Sequence, residues 1–216
     1  MTGFLSRDLI KSANATRRVK LQQDLAAYDV TGWRPSMRLQ FPGLYYQRVM
    51  RDVEFLYSAG RPRLANIRRA YLKLIGMFLG ISIPPGTFDG GLSIPHYGSV
   101  IVNDKVRAGR FCRIHSGTNL GETSDGAPTL GDGVYIGPGA VLYGPISIGA
   151  GAVIGANSVV NQDVPPSTLA AGSPARLMRH NNPPDVMPSW IQANLLRIVD
   201  RQAGLKVDTT AQNGEG

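Results

Sequence analysis

Between Leu130 and about Pro165 the chain repeats itself every six residues. Counted in sixes, the first positions are Leu130, Ile136, Leu142, Ile148, Ile154 and Val160, all aliphatic. The fifth positions, Val134, Ala140, Ile146, Ala152, Ser158 and Val164, are small or β-branched, and Gly131, Gly137, Gly149 and Gly155 stand at second positions. An α-helix needs apolar residues at i, i+3, i+4 and i+7, which a period of six does not supply. One long strand would alternate without a recurring glycine. Short strands separated by regular corners satisfy the pattern: the aliphatic residue fills the interior of a coil, and glycine gives the corner its backbone freedom. A single coil cannot bury its own apolar residues, so the coils must stack.

The register extends backward. With Val102, Ala108, Ile114 and Leu120 as first positions, Val106, Cys112, Thr118 and Ser124 fall at the fifth. Leu120 to Leu130 is four residues longer than one hexad, and the surplus lies in the polar run Glu122 to Pro128, read as a loop extruded from a corner. Such loops on a rigid scaffold are where function concentrates. Counting back from Val102 puts His96 at a first position, where an aliphatic residue is expected. Residues 80–95 read as a looser first coil. After Pro165-Pro166 the chain is expected to leave the coil.

Ahead of the repeats, residues 1–16 read as polar and mobile. Residues 17–32, 43–60 and 64–79 have helical apolar spacing, with Gly80 and Pro84-Pro85 ending the last. Trp190, Ile191, Leu195, Leu196 and Ile198 repeat at helical spacing, and the tail from Lys206 reads as disordered. Three regions result: a helical cap over 1–79, a β domain over 80–180, and a C-terminal packing helix with its tail over 181–216.

Charge sits in the cap. Residues 17–73 hold twelve Lys/Arg against four Asp/Glu, the whole formal surplus of +8. Such a surface attracts anionic ligands or lipid head groups, so peripheral membrane association is an expectation. No aromatic-interleaved basic motif or nucleic-acid module is present, which argues against nucleic acid. The single cysteine, Cys112, allows no intrachain disulfide, and the N-terminus lacks the apolar stretch of a secretory signal. The expected localisation is cytoplasmic. Cys112 falls in a buried fifth-position slot, which makes it a packing residue rather than a nucleophile.

The hexads resemble the left-handed parallel β-helix of the hexapeptide-repeat acyltransferases. Ile94 to Gly121 resembles the serine acetyltransferase branch and the related polysaccharide O-acetyltransferases, through His96-Tyr97-Gly98-Ser99 and His115-Ser116-Gly117-Thr118-Asn119-Leu120-Gly121. The likeness covers roughly 80–180, and more weakly 20–79 through Asp24-Leu25-Ala26-Ala27-Tyr28 and Phe41-Pro42-Gly43. It implies an acetyl-CoA-dependent O-acetyltransferase with no metal, in which His96 is the catalytic base. The family packs as a homotrimer with sites between neighbouring coils, and the cap can join trimers into a hexamer.

The resemblance also carries residue roles. Asp104 matches an acidic position of the family and is a candidate contact for the acceptor. Apart from the resemblance, His115 lies nineteen residues after His96, so one coil on and nearer Tyr97. There it could bind the acceptor, assist the base or be a structural histidine, and Tyr97 could hydrogen-bond a sugar acceptor. By the resemblance, Pro138, Ala156, Asn161, Gln162, Arg176 and Arg179 fall along the acetyl-CoA path, small residues beside the pantetheine arm and arginines beside phosphate. The departures concern the acceptor. The acidic partner of the family histidine aligns with Ser82, and Asp89 is the candidate replacement. The acidic residue before the histidine is Pro95, and the Arg-His pair that holds serine aligns with Gly126-Ala127. These losses point to a sugar hydroxyl in a surface polysaccharide or its precursor, with serine as the alternative. A zinc hydratase of the same fold needs about three converging histidines. Of His96, His115 and His180, the last lies outside the coil.

Overall fold

The computed structural model describes residues 2–178 and 186–197. Thirteen short strands, β1 (Ile81–Ser82), β2 (Val100–Val102), β3 (Arg107–Ala108), β4 (Arg113–Ile114), β5 (Thr118–Gly121), β6 (Thr129–Leu130), β7 (Tyr135–Ile136), β8 (Val141–Tyr143), β9 (Ser147–Ile148), β10 (Val153–Ile154), β11 (Val159–Val160), β12 (Leu169–Gly172) and β13 (Ala175–Met178), follow four helices. The strands form three sheets, β1-β2-β5-β8-β11, β4-β7-β10-β12-β13 and β3-β6-β9, wound as a left-handed β-helix. Every pairing between coils is parallel, and the first-position aliphatics Ile114, Leu120, Ile136, Leu142, Ile148, Ile154 and Val160 are buried in one continuous core.

Coil length is legible in the pairings. Tyr135 pairs with Val153 and Val141 with Val159, eighteen residues apart. Asn119 pairs with Val141 and Arg113 with Tyr135, twenty-two apart, because the extruded loop adds four residues. That loop closes on itself through a Thr123–Gly126 bridge. The first coil differs from the expected eighteen. Ser93 pairs with Arg113, twenty residues on, while Val100 pairs with Thr118, eighteen on. The corner carrying His96 is therefore two residues longer than the corner beneath it. His96 is exposed on this bulge, and Ile94 fills the interior slot that the hexad count gave to His96.

Two further expectations are corrected. The chain does not leave the coil at Pro165-Pro166: β12 adds one more parallel rung to β10, and β13 then turns back antiparallel. Residues 2–16 belong to α1 (Thr2–Ala26) instead of a mobile end. The rest of the cap is α2 (Met37–Gln40), α3 (Pro42–Ser58) and α4 (Pro62–Leu79). Each of α3 and α4 opens on proline, whose fixed φ and missing N–H suit a first helical position. Among the cap's cations, Arg17 and Arg68 pair with Asp52, and Lys20 with Glu54 and Asp89, but only Asp89 lies outside residues 17–73, so the cap keeps nearly all of its basic surplus. Residues 189–197 form the expected packing helix. Its Ile191 and Leu195 cover Phe111 and Tyr135, and Trp190 Nε1 donates to the Ala27 carbonyl. The tail from Lys206 lies outside the described residues. No described helix is long and apolar enough to cross a membrane.

Candidate active site

The His96 corner is held from both sides by the cap. Before it, the Tyr28 hydroxyl donates to the Ile94 carbonyl and accepts from the Ile94 N–H, both at 3.0 Å, and Gln47 Nε2 donates to the same hydroxyl. Burial foremost raises the Tyr28 phenol far above its ordinary range, so it stays a neutral clamp. Gly43 packs so closely that a Cβ there would stand 2.8 Å from the Ile94 carbonyl oxygen. After the corner, Gly98 N–H donates to the Leu79 carbonyl at the end of α4, and Val100 N–H to that of Gly80. Gly98 has φ 136°, a left-handed conformation that a side chain would strain.

The His115 ring lies 6.2 Å from the His96 ring and 5.1 Å from that of Tyr135. An eighteen-residue coil would put His115 nearer Tyr97. The twenty-residue coil puts it beneath Pro95 and beside His96, while Tyr97 is 65% exposed. His115 is half-buried, its Nε2 is shielded from solvent without a partner, and burial, then Arg113, then His96 lower its pKa to about 4. It is a neutral imidazole at neutral pH.

No described carboxylate takes the place of the family's acidic partner. Asp89 sits on another sheet beside Ala108, with its carboxylate on Lys20 and the Gly90 N–H. Asp104 lies at the far end of β2 from His96, on the corner where Lys105 pairs with Glu122 at 2.5 Å. Within one chain these two corners flank opposite edges of the same sheet. Two clefts of about 510 and 590 Å³ are lined by neither His96 nor Asp104.

Below the His96 bulge, the pairings on either side align Ser116, Pro138 and Ala156 in one column along the corner. Rungs stand roughly 4.8 Å apart, so this column runs about 10 Å away from the histidine. Pro138 and Ala156 are exposed and small, which leaves a track beside the backbone. Arg176 is exposed on β13 at the far end of the same sheet. Asn161 and Gln162 occupy the next corner, where Gln162 Nε2 donates to the Ala175 carbonyl and anchors the β12–β13 hairpin. Arg179 and His180 lie outside the described residues. Cys112 is fully buried and burial pushes its thiol up to about 12, as a packing residue requires.

A left-handed β-helix with a histidine at the head of such a track defines the hexapeptide-repeat acyltransferases. Residues 127–162 match the bacterial transferase hexapeptide (six repeats) family. The chain is 30% identical over 178 residues to the serine acetyltransferase of Mycobacterium tuberculosis, covering 76% of each chain. Among solved structures it resembles soybean serine acetyltransferase complexed with serine (TM-score 0.65, 31% identity, 77% of this chain and 71% of that one). It also resembles a serine acetyltransferase in complex with CoA (TM-score 0.64, 30% identity, 80% and 75%). The chain belongs to the serine acetyltransferase family and is an acyltransferase with acetyl-CoA as its cosubstrate.

The sequence singles out His96 and His115, whose rings the structure brings together, and Pro138 and Ala156, which it aligns on one corner. The sequence reading gives Tyr28 no role and passes over Arg113. An arginine at an outward strand position looks like ordinary surface, and only the structure shows what surrounds it.

Proposed function

We propose that the chain is a serine O-acetyltransferase with His96 as general base. The observation that carries this is the exposed His96 imidazole on a clamped corner at the head of the Ser116–Pro138–Ala156 track. The resemblance to an enzyme complexed with serine supports the acceptor. A hydroxyl attacks a thioester poorly while it holds its proton, and a neutral imidazole removes that proton as the new C–O bond forms. The tetrahedral intermediate collapses with loss of the CoA thiolate, which takes the proton back from the imidazolium. O-acetylserine and CoA leave, and no covalent enzyme intermediate is needed.

With no carboxylate on His96, orientation falls to the bulge itself, fixed by Tyr28, Gly43 and Leu79. Pro138, Ala156, Asn161, Arg176 and Arg179 carry acetyl-CoA in this reading, and Gln162 serves through the hairpin it anchors. Asp104 and the Glu122–Pro128 loop are too far along the sheet to serve their own chain's His96. A homotrimer that sets this corner against a neighbour's His96 corner brings the two halves of the site together.

A sugar hydroxyl is the second reading. It is favoured by the uncharged residues Pro95, Gly126 and Ala127, where the serine-binding charges of the family align. Thiol release from acetyl-CoA, measured as kcat/KM for L-serine against a panel of mono- and oligosaccharides, tests the choice. Serine is expected to be the better acceptor, and His96→Ala is expected to cut turnover by about 10²–10⁴ while acetyl-CoA still binds. Acetylation of a sugar with serine inert sinks the serine reading, and turnover by His96→Ala within twofold of wild type removes His96 from the chemistry.

A further inference from the structure

Three buried side-chain atoms of the described residues lack a hydrogen-bond partner: Gln47 Oε1, Arg113 Nε and His115 Nε2. The last two belong to outward positions of one strip, on either side of the buried Ile114, beside the catalytic corner. Arg113 Nη1 donates to Ser93 Oγ at 2.9 Å, and Arg113 makes no ion pair among the described residues. The contrast within the molecule is direct. The fully buried Arg51 has both Asp24 and Glu54, and Arg110 has Asp132. Arg113 is half-buried among Ser93, Tyr28 and Tyr135, none of which is negatively charged.

A guanidinium held partly out of water without an anion is costly, and the cost is recovered when an anion arrives. Its neighbours say which anion. Two residues of strand advance about 7 Å, so Arg113 stands that far from His115, whose ring is next to that of His96. Arg113 and His115 thus stand side by side along one rung, with His96 beside His115 on the neighbouring rung: a cation, a neutral imidazole and a base around one corner. Nε is shielded from solvent, so a ligand can reach only the terminal nitrogens. Nη1 spends one hydrogen on Ser93, and its second hydrogen together with Nη2 forms an end-on fork that suits a carboxylate taken through two parallel hydrogen bonds.

We propose that Arg113 binds the carboxylate of the acceptor and thereby sets specificity for a hydroxy amino acid. The proposal rests on the serine reading and names the group that replaces the missing Arg-His pair. With the carboxylate on Arg113, the hydroxyl of a three-carbon acceptor extends past His115 toward His96. A neutral sugar leaves the guanidinium unpaired and gains nothing from it.

The experiment compares L-serine with L-serinamide, which keeps the hydroxyl and ammonium and lacks the negative charge. In the full chain, Arg113→Met is expected to lower kcat/KM for serine by about 10–100-fold, the range of a lost charge-assisted bond, and to leave serinamide within threefold. Arg113→Lys should restore part of the serine activity, since it keeps charge but not the fork. Unchanged acetyl-CoA binding and circular dichroism control for folding, and Arg113→Gln replaces the methionine variant if that one does not fold. Equal losses on serine and serinamide, or no loss on either, overturn the proposal. If wild type turns over sugars and not serine, the parent reading fails separately. The same comparison between a uronic acid and its neutral hexose then decides on Arg113: a loss confined to the uronic acid supports the carboxylate role, and a wild type that accepts no carboxylate-bearing acceptor overturns it.

Discussion

His115 shows how much a single side chain's surroundings decide. Burial foremost, with the nearby Arg113 and His96, holds its pKa at about 4, against 6.5 for an ordinary imidazole. The folded state therefore binds this proton less readily than the unfolded chain does. Stability from the neutral ring is complete above about 6.5 and is lost as pH falls from there toward 4. His115→Gln removes this contribution while other acid-sensitive groups remain. The drop in Tm between pH 7 and pH 4.5 is expected to be smaller in His115→Gln than in wild type. Parallel Tm curves for the two proteins would show that His115 is not held neutral by the fold. At the same scale, the sequence marked His96 through its break in the hexad pattern but misplaced it. A hexad count assumes corners of constant length, so the two extra residues of the first corner were invisible, and with them the contact between His96 and His115.

At the scale of elements, the cap and the coils are joined through a charge that no periodicity reveals. Arg51 on α3 is 1% exposed and donates to the Asp24 carboxylate on α1, to Glu54, and to the Phe88 and Asp89 carbonyls of the first coil. Asp24 is fully buried as well and also accepts from Gly91 N–H. In the sequence, Arg51 follows Val49 and Met50 and precedes Val53, so its helix is legible from its apolar face, whereas an arginine inside that face contradicts the pattern unless its partners are known. Arg51→Met strands Asp24 as a buried unpaired charge and is expected to destabilise by roughly 3–5 kcal/mol. Adding Asp24→Leu should cost less than the sum of the single changes, a coupling of about 1 kcal/mol or more between contacting residues. Denaturant melts of the two single variants and the double variant measure both quantities. Strict additivity would mean that the pair does not act as a unit. The strands themselves were far more legible, because one aliphatic residue in six must point inward whatever surrounds the coil.

The whole molecule leaves surfaces that a lone chain cannot use. On α4, Leu64, Ile67, Tyr71, Leu74 and Phe78 recur at alternating three- and four-residue steps and are 39–83% exposed. Ile101, on the sheet that separates the His96 and Asp104 corners, is 48% exposed, and Tyr97 at its edge is more so. The flat sheets of a triangular coil present their outward residues in rows, and the homotrimer we propose would cover equivalent rows and set one chain's Asp104 corner against another's His96. In that homotrimer neither half of the site is complete alone, so assembly and activity should be lost together. Light scattering on the purified chain is expected to give three times the 23.2 kDa of one chain, or six times where the exposed α4 faces pair trimers. Dilution or Ile101→Arg, which sets like charges against each other at the covered sheet, should shift mass toward the monomer and abolish thiol release in parallel, with the coil's circular dichroism retained. A stable monomer that acetylates serine at full rate would show that one chain holds a complete site, and would return Asp104 to the ordinary surface.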